Sequence, residues 1–285
     1  MPRLTQNQLA WLARTLWLIT AIIPNDLVDS LPQHSAALRF TLTAELWMLW
    51  VIVTIALWVY HPLSLTIARS LAPVITVHLF VGIGDADTVA MAIASATCAL
   101  LTCLIIFNAD YGAIHVQAGA YGDEQRFLLR IPAPLMLPVG IAYLLLVVTA
   151  TFTPLWFANG QWIPGGMGLV VGAVLLWKVA PRIYQLSRRW LVFVPAGVVV
   201  HDSTLLSDVL MLRRHDVVSI ALAPAATQAI DFTGLTWGVP LEVQLREMID
   251  VRLTPLAARL LRTTDALHVK SFLVAPTRPG HVLAQ

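Results

Sequence analysis

Long apolar runs broken by short polar turns fill the first two thirds of the chain, and short alternating runs replace them in the last third. A membrane-crossing helix needs roughly 20 consecutive, mostly apolar residues. Such runs occupy residues 8–24, 36–60, 63–82, 88–107, 133–153 and 166–186, which predicts about six helices. The first run is short and carries Arg14 near its centre, so it either lies partly in the interface or tucks Arg14 into the bundle. After Arg189 the period changes. The hairpin signal RWLVFVPAGVVVHDS turns at Pro195-Ala196-Gly197 and is followed by the strand-like runs DVLMLRRHDVVSIALAP, AIDFTGLTWG, PLEVQLREM, IDVRLTP and HVKSFLVAP. Pro and Gly fall between the runs, where turns belong. Six or seven short strands in this last part predict a small barrel or sandwich. The predicted architecture is an α-helical transmembrane bundle over residues 1–187, with a polar loop at 108–132, followed by a small all-β domain over 188–285.

Composition agrees with a membrane protein. Hydrophobic residues make up 58% of the chain, charged residues only 12%, and the mean hydropathy is +0.76, whereas soluble chains carry about a quarter charged residues. Residues 1–187 hold 8 basic and 8 acidic side chains, and residues 188–285 hold 10 and 8. A net charge of +2 is too small to argue for nucleic acid, and none is expected as a partner. Cys98 and Cys103 lie five positions apart in one apolar run. On a helix they point about 140° apart, so they cannot bridge, and both read as small apolar fillers. The sequence contains no phosphate-binding loop, no nucleophile elbow, no dinucleotide fingerprint and no metal-ligand spacing, so no cofactor or metal is implied.

Lys and Arg near helix ends set the orientation. Lys178 and Arg182 in the last part of the sixth run, with Arg188 and Arg189 just after it, assign that end to the cytoplasm of a bacterial inner membrane. Six crossings then bring the N-terminus, with Arg3, to the same side. The turn at His61-Pro62 and the stretch 108–127 fall inside, while GIGDAD and TPLWFANGQWIPGG fall outside. The N-terminal run lacks a small-residue cleavage site and reads as retained. Gly168 and Gly172 have the spacing of a close helix contact, within the bundle or between subunits.

The hairpin RRWLVFVPAGVVVHD, the basic turn RRHDV and the closing run SFLVAPTRPGHVLA together resemble a bacterial PH-like domain over residues 188–285. That resemblance implies a curved, seven-stranded antiparallel barrel closed by a C-terminal helix, for which only residues 279–285 remain here. It implies binding or assembly more than catalysis. The Ala-, Val- and Arg-rich, Lys-poor composition is similar to that of polytopic actinobacterial membrane proteins.

Three groups of residues are candidates for chemistry. The stretch NADYGAIHVQAGAYGDEQRF at 108–127 interrupts two apolar runs with Asp110, Tyr111, His115, Tyr121, Asp123, Glu124 and Arg126. It reads as a solvated connecting loop, as a loop docking on the β-domain or a partner, or as a metal site through Asp110, His115 and Asp123. Arg39, Glu45, His78, Asp85 and Asp87 all fall toward the outer face. They line a pathway or pocket there, sit singly near helix ends, or pair as Arg14–Glu45 or Arg39–Glu45. Ionisable groups within a bilayer are functional candidates by default. Arg188, Arg189, Arg213 and Arg214 are candidates for contact with anionic lipid. The function expected from all this is a non-enzymatic accessory or scaffold protein that binds membrane lipids and a membrane-protein partner or a second copy. The alternative is a transporter or lipid-modifying enzyme using the outer-face polar residues.

Overall fold

The computed structural model describes residues 5–22, 35–81, 83, 88–264 and 266–285. Arg3, Asp85 and Asp87 lie outside the described residues. The chain divides into two compact units: Met1–His115 with Ile141–Pro181, and Val116–Gly140 with Arg182–Gln285.

The first unit is helical. Helix α1 (Gln6–Ile19) starts at a capping box in which Thr5 and Gln8 satisfy each other's amides, and a 3-10 turn (Thr20–Ile22) follows it. Helix α2 (Ala36–Trp58) is capped by Ser35 and stops where Val59 turns extended. Helix α3 (Pro62–Val81) places Pro62 at its start, where the missing amide is harmless. Helix α4 (Val89–Phe107) follows, and then the short helix α5 (Ala109–Gln117). Buried Ala68 and Ala72 of α3 and Ala96 and Ala99 of α4 keep the helix axes close, with Val53, Leu57 and Ile106 filling between. Helices α6 (Ala133–Ala158) and α7 (Trp162–Ser187) form a hairpin. Its contact runs along Gly168 and Gly172: a Cβ on Gly168 would meet Thr153 at 2.4 Å, and one on Gly172 would meet Thr149 at 3.2 Å.

Among the described residues, five helices are long and apolar enough to cross a membrane: α2, α3, α4, α6 and α7. The first run, 8–24, is not among them, and its last two residues lie outside the described residues. Helix α1 has 14 residues, about 21 Å, against a hydrocarbon core of about 30 Å. Only 6% of the apolar window of α6 and 11% of that of α7 is buried within the protein, so most of the apolar side chains of the hairpin keep some exposed surface.

The second unit contains two four-stranded sheets. One is ordered β1 (Gln125–Leu128), β2 (Trp190–Val194), β3 (Gly197–His201), β4 (Leu210–Arg213), all antiparallel. The other runs β5 (Val217–Leu222), β7 (Leu241–Arg252), β8 (Ala266–Val274), β6 (Ile230–Asp231), with β6 parallel to β8. Residues 128–130 join the two sheets: the Leu129 amide donates to Arg189, the Arg130 amide to Ala275, and Leu128 accepts from Thr277. Alternate residues of both sheets, among them Leu191, Val198, Val200, Leu241, Val243, Phe272 and Val274, close one core. Helices α8 (Pro255–Leu261), capped by Thr254, and α9 (Pro279–Val282) complete the unit. The predicted closed barrel does not form, since the strands stay in two open sheets.

Two further expectations are corrected. Residues 108–127 are not an irregular loop, because they hold α5 and most of β1. The β-rich unit also reaches back before residue 188 and takes in Val116–Gly140. Because β1 precedes α6 and β2 follows α7, the two long helices are an insertion between neighbouring strands, with Leu128 opposite Trp190.

Candidate functional site

A cleft of about 410 Å³ opens in the helical unit between α2, α3 and the α6 segment. Most of its lining is apolar, contributed by residues such as Phe40, Met48, Leu71 and Leu146. Thr41, Glu45, Ser70, Tyr143 and Thr151 supply the polar groups. The Tyr143 hydroxyl donates to the Ser70 carbonyl. Glu45 contributes the one carboxyl of the lining, and its Oε2 is buried without a hydrogen-bond partner among the described residues. A buried oxygen without a donor costs about 1–3 kcal/mol. Glu45 lies nine residues from the start of α2 and thirteen from its end, about 14 and 20 Å along the axis. Snorkelling to a helix end is therefore out of reach, which corrects its placement near an end. The arrangement can hold an apolar chain against the walls and a hydrogen-bond donor or cation at Glu45.

Of the other outer-face candidates, the two among the described residues, His78 and Arg39, do not join this cleft. His78 lines a separate small pocket with Trp47 and Trp50, and its Nδ1 lies 2.9 Å from the Val74 carbonyl. Arg39 lies six residues before Glu45 on α2 and is absent from the lining. Arg14 does not pair with Glu45. It is buried, donates from Nε to Leu57 at 3.0 Å, and sits among the rings of Trp11, Trp58 and Tyr60 at 5.2, 4.5 and 4.8 Å.

The stretch 108–127 is divided between the units. Tyr111 and His115, one helical turn apart on α5, are fully buried in the helical unit. Their rings lie 4.8 Å apart, and the His115 ring meets Tyr60 at 5.4 Å. The Tyr111 hydroxyl and His115 Nε2 have no hydrogen-bond partner among the described residues. Burial pushes the His115 imidazole down to about 4 and the Tyr111 phenol well above its usual range. Asp110 stands in the first turn of α5, with its amide bonded to Asn108. Tyr121 and Asp123 are exposed at the following turn. Glu124 and Arg126 pair at 2.8 Å, and the Arg126 guanidinium lies over the Trp190 ring at 4.9 Å. The Arg126 hydrogen bond holds the Glu124 carboxyl below the usual range.

The basic candidates also separate. Strand register gives the β-unit two poles. At one pole the helices join, where Leu128, Trp190 and His201 lie abreast; at the other, Val194, Gly197 and Arg213 lie abreast. Arg213 and Arg214 are exposed at this far pole, away from the helix junction. Arg188 is at the near pole, its guanidinium 5.5 Å from the Tyr184 ring and 5.7 Å from the Trp190 ring. Arg189 does not face lipid. It is buried, donates from Nε and Nη2 to Asp202 Oδ2 at 2.8 and 2.6 Å, and from Nη1 to the Arg130 carbonyl.

Compared with models of known protein families, with curated proteins and with solved structures, the chain matches none. Two contributors to these sites were missed from sequence. Tyr143 carries a signal, being a lone hydroxyl-bearing ring in the run IAYLLLVV. Asp202 carries one too. The Pro195-Ala196-Gly197 turn sets Trp190 opposite His201, so residues 189 and 202 are the next pair outward.

Proposed function

We propose that this protein is a non-enzymatic accessory or scaffold protein of a bacterial inner membrane, with both termini in the cytoplasm, whose C-terminal unit is a PH-like platform for a partner protein or lipid. The observation that carries this reading is the insertion of α6 and α7 between β1 and β2. A domain on a single linker reorients freely, whereas a sheet built onto both ends of a membrane hairpin is restrained at two points. The far pole offers exposed Arg213 and Arg214 beside His215. Strands β4 and β5 each end a sheet, and Val218 and Leu222 of β5 are exposed at 59% and 54%. An open edge is a template for an added strand. The shared core of two sheets and the short terminal helix α9 support the PH-like reading.

The test is purification of the full chain in mild detergent with quantitative mass spectrometry of bound proteins and lipids, beside Arg213→Ala/Arg214→Ala and Glu45→Gln variants. A partner at near-stoichiometric amount, lost from the arginine double variant and kept by Glu45→Gln, is the expected result. The Glu45 cleft favours a second reading, a transporter or lipid-modifying enzyme. A lipid retained by the native chain and lost only with Glu45→Gln would replace the first reading with the second. Preparations with neither partner nor lipid would sink both.

A further inference from the structure

We propose that the turn at residues 232–240 is a membrane-interface anchor, inserting Leu235, Trp237 and Val239 into the headgroup region of the bilayer that the chain itself spans. The inference rests on reading α6 as a membrane-crossing helix. In this turn Leu235, Trp237 and Val239 are exposed at 56%, 75% and 53%, and Ile131 beside them at 42%. Single exposed apolar residues are ordinary on soluble surfaces, but a cluster this tight marks a contact.

What the cluster meets follows from where it is tied. Arg130 Nη1 donates to the Trp237 carbonyl at 2.5 Å, and Thr236 Oγ1 donates to the Ile131 carbonyl at 2.8 Å. Gly234 lies so close to Pro132 that a Cβ would come within 2.8 Å of its ring. The turn is therefore fixed on residues 130–132, which run directly into Ala133, the first residue of α6. That helix has 26 residues, about 39 Å, and the hydrocarbon core is about 30 Å thick, so its first turn stands at headgroup level. The turn tied to it stands at the same level.

The turn is also rigid. The Asp231 carboxylate accepts from the amides of Thr233 at 2.7 Å and Leu235 at 3.1 Å, and Thr233 Oγ1 accepts from the Thr236 amide at 3.3 Å. Leu235 is held at φ 60°, a left-handed conformation uncommon for a non-glycine residue. A leucine kept in that conformation with its side chain pointing outward contributes little to the core of the unit. Trp is the side chain most at home at a membrane–water interface, with an apolar ring and one N–H to hydrate. The occupant is thus the bilayer rather than a protein groove.

The test uses the full chain with Cys98→Ala and Cys103→Ala, reconstituted in phosphatidylcholine–phosphatidylglycerol vesicles. Single cysteines carry a polarity-sensitive fluorophore at Val239→Cys, at Leu144→Cys on the exposed face of α6, and at Ala196→Cys at the far pole. Quenching by lipids bearing a nitroxide at a shallow position, or deep in the acyl chain for the label at 144, is compared with quenching by aqueous iodide. The label at 239 should be quenched by the shallow nitroxide and shielded from iodide several-fold relative to 196. Adding Trp237→Ser should restore much of the iodide access. Lipid quenching at 144 with a label at 239 that behaves like the one at 196 would overturn the anchor alone. No lipid quenching at 144 would overturn the membrane-crossing reading of α6 and the anchor with it. Shielding at 239 without nitroxide quenching would mean contact with a second copy and would also overturn the proposal.

Discussion

Replacing Asp202 by alanine should open the root of the membrane hairpin. Arg189 and Asp202 are buried to 1% and 2% side-chain exposure and share a 2.6 Å ion pair. Asp202 Oδ1 also accepts from the amides of Thr204 at 3.0 Å and Leu205 at 3.3 Å. Removing one partner of a buried pair strands the other charge and costs about 3–5 kcal/mol. An exposed pair would contribute about 0–1 kcal/mol, so the magnitude alone separates a clamp from a surface contact. Asp202→Asn keeps an acceptor for the turn and should cost less than Asp202→Ala. Arg189→Met combined with Asp202→Asn should recover at least half of the loss, because no charge is left stranded. The assay is hydrogen exchange of the full chain in detergent, read at residues 191–194 and 198–200, since local opening stays defined where global two-state unfolding does not. A change below about 1 kcal/mol in opening free energy for Asp202→Ala would refute the clamp.

Three other outcomes follow from the same geometry. Glu45→Leu should leave the thermal midpoint in detergent unchanged or raised, since it removes an unpartnered buried carboxyl from an apolar cleft; a large fall would mean that Glu45 has a partner holding the helices together. Burial depresses the His115 pKa to about 4, so the unfolded chain takes up the proton first and stability is lost as pH falls from about 6.5 toward 4. The loss amounts to about 3 kcal/mol, read as exchange of the α5 amides corrected for intrinsic rates, and His115→Gln should flatten the profile. Gly168→Leu should spread the α6–α7 hairpin, because even a Cβ there meets Thr153 at 2.4 Å. A loss of about 1–3 kcal/mol is expected from such overpacking, and unchanged cross-linking between cysteines placed at 149 and 172 would count against it.

The long helices were legible because hydropathy and length decide them almost alone. Helix α1 was not, because the run 8–24 counts apolar residues beyond the described helix, which ends at Ile19. Tyr111 and His115 were read as loop residues on polarity, yet their one-turn spacing puts them on the same helical face, and both are buried. Arg189 was misread because it follows a membrane helix, where positive charge is ordinary; only the β2–β3 register brings Asp202 beside it. The open sheets and the placement of Arg213 and Arg214 depend on pairings between distant segments, to which local period is blind. Strand β1 is the extreme case. Its four residues, QRFL, carry little strand signal, and the partner strand β2 follows only after two long helices.

That insertion constrains topology in a way the distribution of Lys and Arg does not. Leu128 and Trp190 face each other across a strand pair, about 5 Å apart, so α6 and α7 start and finish on one side of any membrane they cross. The short helix α1 adds a second constraint. Trp11 meets Trp58 edge to face, Arg14 donates to Leu57, Trp17 donates to Thr54, and Trp50 donates to Thr20. This ladder runs antiparallel, so α1 begins level with the C-terminal end of α2 and reaches only to its middle. A short first helix thus leaves its first residues at the α2 terminus, where a crossing helix would also have begun. The polypeptide leaves the helical unit at the same end, since His115 packs on Tyr60 just beyond α2. Losing one crossing from the count therefore does not move the N-terminal helix to the opposite end of the bundle, because packing direction rather than the number of spans fixes where α1 starts.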